Sequence, residues 1–148
     1  MNLDHYEIIA NPSFLDFEFD SDGPNGIIKK VVRFSPKNSN GITYFNLGFG
    51  DLDIRTGIIN DLTVSNIKDR DRILATVASI VLVFTEQYPD AIVYAKGSTP
   101  VRTRLYQIGI SSNWDEINKL LFVYGFADEK WQLFNKDVNY EAFLAMRK

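Results

Sequence analysis

The chain has 148 residues, a formal net charge of −3 and no cysteine. Disulfides, thiolate nucleophiles and cysteine zinc sites are therefore excluded, and the single histidine, His5, excludes a multi-histidine metal site. At 45% hydrophobic and 24% charged, the composition is that of one ordinary globular domain spanning 1–148. The acidic balance shows no basic stripe of the kind a nucleic-acid backbone needs. The opening residues, MNLDHYEII, are acidic and lack an apolar run, so no secretory signal is expected. The uncharged segment 73–85 is shorter than the ~20 residues of a membrane span. A cytoplasmic protein is expected, with neither nucleic acid nor membrane as partner.

In chain order, SFLDFEFD (13–20) alternates, with Phe17 and Phe19 on one face and Asp16, Glu18 and Asp20 on the other, which predicts a half-buried strand. DSDGPNG (20–26) reads as a turn. It resembles a calcium loop only at its start, since Pro24, Asn25 and Val31 fall where that loop needs a ligand, a glycine and an acid. Segments 27–34 and 42–49 predict two further strands, joined by the turn cluster SPKNSNG (35–41). Gly48 and Gly50 suggest a bulge, and a short fourth strand is expected over 58–64. Consecutive strands with short turns imply an antiparallel meander.

The period then changes. Ile73, Leu74, Val77, Ile80, Val81 and Phe84 lie on one helical face. Asp69 or Asp71 is the expected cap and Pro89 the stop. So few charges on this helix imply cover on more than one side. Segment 91–95 is apolar throughout and predicts a central strand. Thr99 and Pro100 then supply the cap and first position of a second helix ending near Gly109. Asn113-Trp114-Asp115-Glu116 resembles a capping box opening a third, short helix, and 130–147 suggests two closing strands. The order β-meander–α–β–α–α–β–β predicts a mixed α/β (α+β) domain, with a mainly antiparallel sheet flanked by helices and at least one parallel strand pair.

This order, together with TPVRTRLY (99–106) followed by Gly109-Ile110, resembles the N-acetyltransferase superfamily. In that family the second helix of such a series carries an Asn-x-x-Ala-x-x-Leu-Tyr pattern followed by Gly-Phe. Leu105 and Tyr106 match; Thr99 stands for the asparagine, Arg102 replaces a small residue, and Gly109 comes one position early. The resemblance implies an acyltransferase-like fold, acetyl-CoA or another acyl-CoA as cofactor, and Tyr106 as proton donor to the departing thiolate. The family's Gly-rich pyrophosphate turn before the long helix has no counterpart in NIKDRDR (66–72), which contains no glycine. The chain also resembles a group of small uncharacterised bacterial proteins, through GSTPVRTRLY (97–106) and ILATVA (73–78).

The residues themselves point to the turn at 97–106. A strand feeding a helix N-terminus suits an anion; Ser98 and Thr99 add hydroxyls beside Gly97, and arginine adds a planar charged fork. Arg102 and Tyr106 share a helix face, whereas Arg104 lies roughly opposite. The plainer reading is a capped helix with arginines in surface ion pairs. Asp51 and Asp53 are a possible cation or base pair, more commonly a solvated turn, and His5 a possible base. The abundant aromatics, among them Phe122, Tyr124, Phe126, Trp131 and Phe134, fit a core, with some left to cover a partner surface; a homodimer is plausible. Three readings stay open: a non-catalytic domain binding a small anionic ligand or a protein partner, an acyl-CoA-dependent N-acyltransferase, and a regulatory partner in a toxin–antitoxin-type pair.

Overall fold

A computed structural model describes residues 4–23, 26–52, 59–60 and 67–148. The elements in chain order are β1 (Ile9–Ala10), β2 (Asp16–Gly23), β3 (Gly26–Ser39), β4 (Ile42–Leu52), β5 (Ile59–Asn60), α1 (Ile67–Gln87), β6 (Ile92–Ala95), α2 (Pro100–Ser112), α3 (Trp114–Leu120), β7 (Leu121–Ala127), β8 (Lys130–Leu133) and β9 (Ala142–Arg147). The strands form one mixed sheet in the order β1-β2-β3-β4-β6-β9-β7-β8, with β5 paired to β4. Among the described residues only β4 and β6 run parallel, through Phe45↔Val93 and Asn46↔Tyr94. The meander, the central position of β6 and the mixed sheet agree with the sequence.

The three helices among the described residues lie on one face. The chain moves from β4 to β6 through α1 and from β6 to β7 through α2 and α3, both times in the same direction across the sheet. Right-handed crossovers in one direction put their helices on one side. The register confirms it: every sheet residue in the core clusters belongs to one parity, from Phe17 and Val32 through Phe49 and Val93 to Val123 and Phe143. On that face Phe84 of α1 is the central contact. It stacks on Phe34 with ring centroids 3.9 Å apart and meets Phe45 edge-on at 5.2 Å. The apolar stripe of α1 faces the sheet, while Leu74 and Ala78 turn toward α2, α3 and β7. Its buried hydroxyls, Thr76, Ser79 and Thr85, donate back to carbonyls one turn earlier, so the helix hides polar atoms at little cost.

Several local expectations are corrected. The turn after β3 is only Asn40-Gly41, both at positive φ (53° and 82°), because a two-residue hairpin matched to strand twist needs left-handed residues. Strand β3 therefore runs through 35–39. Pro36 is tolerated there because β2 begins opposite Arg33, leaving this stretch of β3 at a sheet edge. Gly48 and Gly50 sit in unbroken register opposite Arg33 and Val31, with no bulge. Helix α1 starts at Ile67, so Asp69 and Asp71 lie inside its first turns rather than at the cap. Helix α2 continues past Gly109, which is buried against Leu74 instead of ending the helix. Asn113 precedes α3 without a side-chain cap; its Nδ2 donates to Gly109 O at 2.7 Å. The closing unit has three strands rather than the expected two, because β7 joins β8 and β9. The expected strand over 58–64 is represented by β5; the rest lies outside the described residues, as does Asp53.

Phe84→Ala should destabilise the fold by about 3–5 kcal/mol, since it opens a cavity among stacked rings. Val83→Ala, one residue away on the solvent side, should cost well under half of that. Urea titrations of the two variants check the contrast.

Candidate functional site

The segment after β6 closes on itself. The Gly97 N–H donates to Thr103 Oγ1 at 3.0 Å, and that hydroxyl donates on to Thr99 O at 3.3 Å. Thr99 caps α2 as the sequence implied: its Oγ1 accepts the Arg102 N–H at 3.3 Å, and its carbonyl accepts the Thr103 N–H at 3.1 Å. Pro100 at the first position brings no N–H. Most donors of this helix start are thus turned inward. Gly97 is required by close approach, because a Cβ there would overlap the backbone of Arg102 and Thr103. Ser98 is exposed. The GSTP turn is in the first place a device for docking the helix start onto the end of β6.

The side chains further along α2 diverge. Arg104 is exposed and donates to Asn139 Oδ1 at 3.0 Å. Arg102 is half-buried and acts on the Tyr106 phenol one turn later. Tyr106 packs where two core clusters meet, beside Ala95, Ile110 and Phe143. Burial pushes its phenol up to about 12, and the Arg102 charge opposes this only in part. No hydrogen bond contributes to that shift. At any physiological pH the group is a neutral hydroxyl.

Beneath Tyr106, between the helices and the sheet, lies a cavity of about 80 Å³. Its walls come from α1, α2, α3, β4, β6, β7 and β9. Small residues make the space: Ala78 on α1, Gly109 on α2, Ala95 on β6 and Ala145 on β9. Among the lining side chains only Tyr106 carries a polar group.

A second polar group assembles at the other end of α1. Lys30 is fully buried and paired with Asp51, its cross-strand neighbour. Tyr6 donates to Asp69 at 2.9 Å, takes the Asp22 N–H at 3.2 Å, and lies under the Arg72 guanidinium, 4.0 Å from the ring centroid. Its backbone N–H donates to Thr76 Oγ1 at 2.9 Å. This arrangement pins the N-terminal segment across α1 and the sheet. The acid expected to solvate a turn or bind a cation, Asp51, instead neutralises a core lysine. The signal was present: strict alternation places Lys30 on the face of Val32 and Phe34, and Asp51 on that of Leu47 and Phe49. His5 Nδ1 is engaged with the Tyr6 carbonyl at 2.7 Å. Among the described residues no cluster of three His, Cys, Asp or Glu side chains is placed to hold a metal, and no helix is long and apolar enough to cross a membrane.

Two outcomes follow. Gly97→Ala should destabilise by about 1–3 kcal/mol through the backbone overlap, measured by urea denaturation. For Tyr106, the folded chain holds its proton more tightly than the unfolded chain, whose tyrosine titrates near 10. The stability this gives is complete below pH ~10 and is lost as pH climbs toward ~12, by roughly 2–3 kcal/mol. The wild type should therefore lose stability more steeply than Tyr106→Phe across that interval, in denaturation curves at graded pH.

No curated protein and no solved structure matches the chain. A family model does match, over residues 2–148, and its description is a family of unknown function, DUF6934. The chain with this one-sided sheet, closed GSTP turn and apolar cavity belongs to that family.

Proposed function

We propose that this protein is a non-catalytic binding domain whose ligand seat is the cavity under Tyr106. The observation that carries the reading is the pairing of an apolar chamber with a single phenol. Such a chamber has no means of activating a nucleophile, but it can take an apolar group and offer one hydrogen bond. Its volume is about 80 Å³, roughly half of the ~150 Å³ that admits a benzene ring. A narrow occupant is favoured: a short alkyl chain ending in a carbonyl or hydroxyl oxygen that accepts from Tyr106. Arg102, one turn before, would add attraction for a terminal anion.

The second reading, an acyl-CoA-dependent acyltransferase, draws support from the element order and from Leu105-Tyr106. In that reading the fold is acyltransferase-like and Tyr106 protonates the leaving thiolate. The energetics disfavour it. A donor with a pKa of about 12 passing its proton to a thiolate of pKa ~8.5 works uphill by three to four units, about 4–5 kcal/mol. The absence of glycine in 66–72 removes the usual seat for the pyrophosphate.

Thermal unfolding with straight-chain amides from propanamide to hexanamide separates the possibilities. The wild type should gain stability with one or two chain lengths. Ala78→Leu fills the chamber; it should be about 0.5–2 kcal/mol more stable without ligand and should no longer respond. Tyr106→Phe should bind several-fold more weakly, for loss of one hydrogen bond. A flat response at millimolar amide, with Ala78→Leu destabilised, would sink the binding reading. A shift with acetyl-CoA that disappears in Arg102→Ala would favour the enzyme instead.

A further inference from the structure

Among the described residues all three helices lie on one face and the other face of the sheet is left to the strands themselves, and its two halves differ. Over β2 and β3 it is charged: Arg33 pairs with Asp16 at 3.0 Å, and Lys29 lies 3.5 Å from Asp20 and 3.7 Å from Glu18. Over β6, β9, β7 and β8 it is not. The register aligns Ile92, Met146 and Phe122 in one row across the strands. The next row is Tyr94, Leu144, Tyr124 and Leu133, and the third is Ala142, Phe126 and Trp131. No residue in these rows is charged. By register Asn46 ends the second row at one side and Tyr44 extends the first beside Ile92, its ring edge-on to Tyr94 at 5.8 Å, while Trp131 meets Tyr94 at 6.3 Å.

Strands apolar on both faces are ordinarily covered on both faces, yet here Phe122, Trp131 and Leu133 stand 45%, 41% and 66% exposed. With their half-buried neighbours these side chains make one apolar patch across four adjacent strands. One partner in a stable protein pair contributes ~800 Å², an area that a face four strands wide and its rim can supply.

We propose that this face is the interface of a homodimer, in which two copies stack their outer sheet faces about a two-fold axis running along β9. Sheet faces pack ~10 Å apart with interdigitated side chains, and a two-fold interface needs a surface that matches itself. This one qualifies, because the rows themselves carry no charge, and the Lys148 ammonium that lies over the Phe122 ring at 5.4 Å also donates to Asn118 O. The rim supplies complementarity. The axis carries the β6 side of one copy over the β7 side of the other. Lys96, exposed where β6 ends and level with Phe126 by register, then reaches toward the exposed Asp128-Glu129 turn two residues further on, and the contact occurs twice. That turn is well defined, with both residues at positive φ (53° and 61°).

Sedimentation equilibrium over about 1–200 µM tests the assignment. The wild type should be dimeric within this range. Phe122→Lys/Leu133→Lys changes only exposed side chains and should sediment as a monomer with an unchanged circular dichroism spectrum. Lys96→Glu should weaken the dimer about tenfold or more, and adding Asp128→Lys/Glu129→Lys should restore it. A wild type that stays monomeric at the highest concentration overturns the proposal, and so does a face variant that remains a dimer. Dimerisation lost in the face variant but indifferent to both charge changes overturns the placement of the axis.

Discussion

The direction of two crossovers governs this molecule. From β4 to β6, and from β6 to β7, the chain steps the same way across the sheet. Chirality then leaves the helices no choice of side. From this come the thick core on one face, where Phe84 meets Phe34 and Phe45, and the bare aromatic rows on the other. The cavity follows from the same constraint. Three helices crowd over one stretch of sheet, and they approach closely enough that α1 and α2 touch at Leu74 and Gly109. The small residues that permit this approach also leave the space beneath Tyr106.

Local chemistry was well written in the sequence wherever one residue type does one job. Phe17 and Phe19 fell on the buried face as alternation required, and Thr99-Pro100 opened α2. The period change at α1 marked the move from meander to crossover. Two misreadings share a cause: a residue with a local signal has a different partner. Gly109 signals a helix end, but Leu74 explains it. Asn113 signals a cap, but it reaches back to the Gly109 carbonyl. Strand β7, LFVYGFA, escaped because it is apolar on both faces, and period-two contrast vanishes in such a strand. The length of β3 escaped because a proline and three polar residues near its end resemble a loop, until the neighbouring strand is seen to stop short.

The candidate site was legible as a place but not as a mechanism. The sequence located residues 97–106 at the junction of a central strand and a helix. It did not reveal that Gly97, Thr99 and Thr103 spend their polar groups on one another, although helix geometry already set Arg102 and Arg104 on different faces. Tyr106 gains its character from burial, which only the assembled core provides. Lys30 and Asp51 show the converse: two charged residues whose parity announced burial, and whose pairing across adjacent strands made that burial tolerable.

Strand β9 occupies the middle of the sheet although it follows every other described element in the chain. It lies between β6 and β7 and bonds to both. During synthesis, β6 and β7 therefore leave the ribosome without the neighbour that joins them. Until β9 inserts, the meander with β6 and the β7–β8 hairpin are two sheets with open inner edges, each inviting a foreign strand. Completion is a late, long-range event, so a nascent chain stalled short of β9 is a natural client for chaperones.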